Sequence, residues 1–267
     1  MHIFFSDLDG TLLNDEKEIT PRTKQALDAF IAAGNCFVIS TGRPLSNSLS
    51  IQERFGLSRS GTYISAYNGA VIYDCAAGKT LYETGIPQIL VSQILQIADA
   101  CHVHLQAYQG RYIISRIYND QLQYYRERTH MPVIIAEDML SELTSPPRKL
   151  LAIDLEDRSR LEKFYDAVIA QLGSYLALAF SGPYYLELFP SDAGKGKALV
   201  RLCRYLHIPV ENSVAAGDAE NDISMLKAAG YSICMCNAAL EIKKIAARIT
   251  ETDNNHDGLV PFIEELT

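Results

Sequence analysis

The sequence predicts an α/β fold: a Rossmann-like parallel sheet with a smaller α+β unit inserted into it. Three observations predict this. Short apolar runs alternate with helix-like segments at both ends of the 267-residue chain. The middle of the chain changes to strand-like runs joined by tight turns. Gly/Pro punctuation stands at both changes, Gly85-Ile86-Pro87 and Ser181-Gly182-Pro183.

The elements follow in order. Residues 2–6, built on the apolar run Ile3-Phe4-Phe5 that stops at Ser6, read as a short buried strand. Thr20 is a helix cap with Pro21 in the first turn, so a helix is expected over 21–33, ended by Gly34. Cys36 to Ser40 reads as a second strand and Pro44 to Phe55 as a second helix. In the middle, helices are expected over 88–100 and 157–172. The strands there are His104 to Tyr108 and Tyr112 to Ser115, turned by Gln109-Gly110, then Leu150 to Leu155 and Tyr175 to Phe180. Towards the end, Gly194 opens a helix running to about Tyr205. Val214 to Ala216 is a strand, Glu220 to Ala229 a helix and Tyr231 to Met235 a strand. Two helices, Ala238 to Ala247 and Gly258 to Leu266, close the pattern. Continuous apolar strands imply a parallel sheet covered on both faces. The expected domains are residues 1–84 and 185–267 for the core and 85–184 for the insertion.

Composition excludes several function classes. Net charge is −8, whereas a nucleic-acid backbone would call for a basic stripe. No apolar run is long enough to span a bilayer, and the N-terminus lacks the pattern of a secretory signal. The six cysteines have irregular spacing with no CxxC pair, which suggests reduced thiols and a cytoplasmic protein. No partner beyond a small ligand is indicated, and oligomeric state is not readable.

Four segments carry chemistry. FFSDLDGTLL places Asp7 and Asp9 at the end of the first strand, before Gly10. Ligands in parallel α/β sheets bind beyond the carboxyl ends of strands. Two carboxylates held close repel unless a cation or a shared proton relieves them, and hard oxygen donors suit Mg2+. An aspartate cap plus a turn aspartate is the alternative for this pair alone. GDAENDISML repeats the arrangement, with Asp218 at a strand end and Asn221 and Asp222 on the next helical turn. Capping explains one such acid, not two acidic strand ends in one sheet. STGRP offers Thr41 and the amide of Gly42 to a phosphoryl oxygen, with Arg43 beside them. GKGKAL opens a helix with Lys195 between two glycines. It is not a P-loop, because the GxxxxGK[ST] spacing is absent.

In that order, DLDGT, STGR, GKGKAL and GDAENDISML resemble the haloacid dehalogenase superfamily. More narrowly the chain is similar to the Cof-type phosphatases with a type IIB cap. Tyr67-Asn68-Gly69-Ala70, Met235-Cys236-Asn237-Ala238 and His256-Asp257-Gly258-Leu259 extend the likeness. Lys197 is a second lysine in the third motif, but the KGxAL frame favours Lys195. The resemblance implies that Asp7 is a nucleophile and Asp9 a general acid/base. It implies Mg2+ held by Asp7, the backbone carbonyl of Asp9 and Asp218, with Asp222 nearby. It assigns phosphate contacts to the Leu8 and Gly42 amides, Thr41, Lys195 and Asn221. The insertion would be a mobile lid. Arg43 and Asn68 are candidate substrate contacts from the core, and Arg111, Arg116, His104 and Tyr108 from the lid. The expected activity is Mg2+-dependent hydrolysis of small phosphorylated metabolites, sugar phosphates first. Flavin mononucleotide, pyridoxal phosphate, nucleotides, a phosphomutase and a non-catalytic phosphometabolite sensor are the alternatives.

Overall fold

A computed structural model describes all residues, 1–267. The chain divides into two compact units, residues 1–82 with 194–267, and residues 83–193.

Chain order begins with β1 (Ile3–Ser6), α1 (Pro21–Ala32), β2 (Cys36–Ser40), α2 (Leu45–Arg54), β3 (Thr62–Ala66), β4 (Val71–Asp74) and β5 (Lys79–Glu83). Next come α3 (Gln88–Ala100), β6 (His104–Gln109), β7 (Tyr112–Ser115), α4 (Asp120–Thr129), β8 (Val133–Ile135) and α5 (Met139–Glu142). Then follow β9 (Leu150–Ile153), α6 (Arg158–Leu172), β10 (Leu176–Phe180) and β11 (Tyr185–Pro190). The chain ends with α7 (Lys195–Tyr205), β12 (Ser213–Gly217), α8 (Ile223–Ala228), β13 (Tyr231–Cys234), α9 (Leu240–Lys243), β14 (Arg248–Ile249) and α10 (Val260–Glu265).

The first unit is built on a sheet of order β14-β13-β12-β1-β2-β3-β4-β5. Strands β14 to β3 pair in parallel, and β4 turns back antiparallel on β3. Strand β1 is central because both of its faces are apolar. Ile3 and Phe5 join Val38, Leu199, Ala215 and Met225 in one core. Phe4 points the other way and meets Phe30 and Phe37, at ring-centroid separations of 6.2 and 6.4 Å. Each such buried side chain contributes about 1.5–3 kcal/mol. With apolar residues filling both faces, polar groups are left to the carboxyl ends of the strands.

The second unit has a six-stranded sheet of order β10-β11-β9-β6-β7-β8, antiparallel except for β7 with β8. Its core joins α3 and α6 to one sheet face through Ile94, Leu105, Leu150, Phe164 and Leu188.

Several expectations are corrected. The insertion does not end at residue 184. Ser181-Gly182-Pro183 is the turn of the β10–β11 hairpin, closed by the Ser181 N–H on the Tyr185 carbonyl at 3.2 Å. Strand β11 pairs with both β10 and β9, so the second unit runs on to Ala193. The long helix expected over 220–229 opens as a 3-10 turn, Glu220–Asp222, because the Asp222 carboxylate bends back to the amides of Asp218 and Ala219. The two closing helices shorten to α9 and α10, and Pro261 fixes the first turn of the latter. Strands β3, β4, β5, β8, β11 and β14 and helices α4 and α5 were not foreseen.

Candidate active site

Strand β1 carries Asp7 one residue past its end. The Asp7 amide still donates to Ala216 of β12 at 3.0 Å, so its backbone is fixed by the ladder. The chain then bends at Gly10, whose φ is +77°. A side chain there would also strike Asp218, since a Cβ would lie 2.5 Å from its Oδ2. Glycine therefore lets the Asp7 loop close on the end of β12. Thr11 fastens the approach by donating its hydroxyl to Asp218 Oδ1 at 2.9 Å.

Helix α7 brings Lys195 to the same place. It can approach because Gly196 lies against α8, where a Cβ would fall 2.2 Å from the Ser224 carbonyl oxygen. The Lys195 ammonium donates to Asp7 Oδ1 at 2.5 Å and to Asp222 Oδ1 at 2.6 Å. It is fully enclosed, at 1 % exposure. Burial alone would pull its pKa down, but the Asp222 and Asp7 carboxylates outweigh that and raise it, so the lysine is charged. Asp222 Oδ2 accepts the amides of Asp218 and Ala219, both at 3.0 Å. Both Asp222 oxygens are thus engaged in shaping the loop and holding the lysine.

Carboxylate oxygens of Asp7, Asp218 and Asp222 lie within 4.8 Å of one another. Burial, then repulsion from Asp222 and Asp218, raises the Asp7 pKa well above its usual range, against the pull of Lys195. Burial and Asp222 push Asp218 up to about 6. Three acids face one ammonium, so the cluster carries two uncompensated negative charges when ionised. Its donors are hard oxygens. A divalent oxygen-seeking cation fits both the charge and the chemistry.

Asp9 lies apart from that cluster. Its carboxylate is gripped by Arg43, Nε to Oδ2 at 2.7 Å and Nη2 to Oδ1 at 2.5 Å, and by Lys17 Nζ on Oδ1 at 2.8 Å. Burial works against its charge, but Arg43 and then Lys17 prevail and its pKa is lowered. The expected metal contact of Asp9 is through its backbone carbonyl, and its carboxylate is not one of the three in the acidic cluster.

The remaining predicted core residues frame these two groups. Thr41 is buried at the end of β2, and its Oγ1 accepts the Arg43 amide at 3.1 Å, which shapes the turn through Gly42. The Leu8 side chain is buried, and its carbonyl closes the loop on the Leu13 amide at 2.8 Å. Asn68 is a structural hub. Its amide donates to the Thr41 carbonyl at 3.0 Å, its carbonyl accepts the Gly194 amide at 2.8 Å, and its Oδ1 accepts Asn221 Nδ2 at 3.3 Å. It ties together the ends of β2, α7 and the turn after β12.

The candidates in the second unit are engaged within that unit. Arg111 stacks on Tyr112, and Arg116 pairs with Asp99. His104 is buried against Gln106, and burial brings its pKa down to about 4. Tyr108 donates to Tyr125 at 2.8 Å.

Sequence reasoning missed Lys17, Thr11 and Asn237, whose Nδ2 donates to the Gly10 carbonyl at 2.8 Å. Thr11 and Asn237 lie inside segments already singled out, so position in a motif was a signal for both. Lys17 had none.

The family model for haloacid dehalogenase-like hydrolases matches residues 4–263. A phosphatase of Bacillus subtilis is 30 % identical over 293 residues, with 100 % of each chain covered. A second protein of that organism, a 5-amino-6-(5-phospho-D-ribitylamino)uracil phosphatase, is 28 % identical over 274 residues, covering 97 % of this chain and 95 % of its own. The crystal structure of a haloacid dehalogenase-like hydrolase from Bacteroides thetaiotaomicron superposes with a TM-score of 0.87 at 29 % identity, covering 100 % of this chain and 99 % of that one. A whole-length family match, on a parallel sheet whose strand ends gather the acids and the lysine, shows that this chain belongs to the haloacid dehalogenase-like hydrolases.

Proposed function

We propose that the protein is a Mg2+-dependent phosphatase of small phosphorylated metabolites, sugar phosphates first, acting through an aspartyl phosphate on Asp7. The observation that carries this is the fixed pairing of Asp7 Oδ1 with Lys195, which leaves Oδ2 without a hydrogen bond and free to react. In the first step Asp7 Oδ2 attacks phosphorus and the ester bond breaks, and Asp9, in the protonated form that the grip of Arg43 and Lys17 disfavours in the free protein, gives its proton to the departing alkoxide. In the second, Asp9 takes a proton from water as that water attacks phosphorus, releasing phosphate and restoring Asp7.

Lys195, Thr41, Asn221 and the amides of Leu8 and Gly42 would hold the phosphoryl oxygens. The Leu8 amide has no acceptor within the protein, in keeping with that role. Asp7, the Asp9 carbonyl and Asp218 would hold Mg2+, with Asp222 fixing the loop beside it. The ion would offset carboxylate charge against the phosphate dianion.

The relatives' substrates support a small phosphorylated molecule over a polymer, and no helix is long and apolar enough to cross a membrane. Six free cysteines support a cytoplasmic location.

The test is release of phosphate from an aryl phosphate, with and without Mg2+, by wild type and Asp7→Asn. Loss of about 10³-fold or more in the variant is expected. Metal-independent hydrolysis, or an active Asp7→Asn protein, overturns the reading.

A further inference from the structure

We propose that Lys17 and Arg43 form a receptor for a carboxylate on the leaving group, so that the preferred substrates are short phosphorylated acids. This rests on the phosphatase reading and narrows its substrate class.

The receptor is already occupied by a carboxylate, that of Asp9. Arg43 grips it with two nitrogens, the planar fork that suits a carboxylate, and Lys17 donates to Oδ1 as well. Two cations thus face one anion. Arg43 Nη1 and two of the three Lys17 ammonium hydrogens meet no acceptor. A second carboxylate would balance the charge and use those donors.

Lys17 is also presented at a cost. It sits in the left-handed region, at φ 62°, where glycine or asparagine is the easier choice. Its turn is closed by Asn14, which pairs with Glu18 and accepts the Lys17 amide at 3.0 Å. The far end of the chain braces that turn. Asn254 Nδ2 donates to the Leu13 carbonyl and the Asp15 amide donates to Asn255 Oδ1, both at 2.9 Å. Two of the turn's three acids are directed elsewhere, Glu18 to Arg54 and Asp15 to Asn254, and the third, Glu16, is exposed and makes no ion pair with Lys17. A lysine held this firmly, half exposed, with spare donors, is placed to meet something from solution.

Position sets the size of the ligand. Asp9 must touch the ester oxygen to protonate it, and both cations touch Asp9. The substrate's carboxylate must therefore lie within a few bonds of that oxygen.

The test compares 3-phosphoglycerate with glycerol 3-phosphate, which share a three-carbon skeleton and differ by the carboxylate. Wild type is expected to prefer the acid by about tenfold in kcat/KM, the effect of one charge-assisted hydrogen bond. Lys17→Met should erase that preference, chiefly through KM, and Lys17→Arg should keep it. Equilibrium binding of the two ligands to Asp7→Asn should show the same order without turnover. A ratio near one in wild type, or a ratio unchanged in Lys17→Met, overturns the receptor. An aryl phosphate run alongside separates the two levels. Its Mg2+-dependent hydrolysis with a ratio near one overturns the receptor alone, whereas no hydrolysis of any ester overturns the phosphatase reading beneath it.

Discussion

Two lysines are fully enclosed in this molecule, Lys195 in the first unit and Lys149 in the second. Lys149 pairs with one carboxylate, Glu187, at 2.9 Å. Ser181 donates to the same Glu187 oxygen at 3.0 Å, and the Tyr108 ring lies 5.4 Å from the ammonium. That pair is matched one to one and closed. Lys195 meets Asp7 and Asp222 with Asp218 beside them, so three acids share one ammonium. Desolvating charges is costly in both places, but only the second arrangement leaves charge over. A balanced pair resembles architecture, and an unbalanced one resembles a site awaiting a cation.

The sharpest way to break the comparison is to remove each lysine in turn. Lys195→Met should lower turnover by about 10²–10³-fold, since it strips a donor from the reacting oxygens. Lys149→Met should instead cost about 3–5 kcal/mol of stability in urea melts, because it strands Glu187. Lys149→Met/Glu187→Leu should recover most of that stability, whereas Lys195→Met/Asp222→Asn should recover no turnover. If the Lys149 double variant stays as unstable as the single, the pair is not the closed unit described.

A smaller effect concerns pH. Asp218 holds its proton more tightly when folded, at about 6, than its ordinary 3.8. Between those values the unfolded chain has released the proton and the folded chain has not. Metal-free protein should therefore lose stability as pH rises from about 4 to about 6, and Asp218→Asn should lose less. Urea melts in chelator at the two pH values give the difference. Equal slopes would mean that the acidic cluster is already balanced without a cation.

The smallest effect expected is at Asn237, which is exposed and holds the Gly10 carbonyl. Asn237→Ala should lower kcat by only a few-fold, with KM nearly unchanged, if it positions the loop behind Asp7 and Asp9. A change confined to KM would instead place Asn237 against the substrate.

The acids and Lys195 were legible because each stands where a local pattern breaks, at a strand end or the first turn of a helix. The contacts that tune them were not. Lys17 reaches Asp9 only through a turn with a left-handed residue, which nothing in Asn14-Asp15-Glu16-Lys17 demands. The Lys149–Glu187 pair depends on the register of β9 and β11, which sets Glu187 opposite Leu151. The end of the insertion was misplaced because Ser-Gly-Pro serves equally well as a hairpin turn and as a linker. Short helices such as α9 were overcalled because their ends are decided by packing more than by residue preference.

Strand β1 lies between β2 and β12, and Thr11 and Asp218 meet across 207 residues of sequence. During synthesis, Asp7 leaves the ribosome long before the strand and acids that complete its surroundings. The nascent chain therefore carries an unfinished pocket for most of its elongation. On the proposed route, reactivity would wait until β12 docks beside β1, and an amino-terminal fragment lacking that strand should hydrolyse nothing through Asp7.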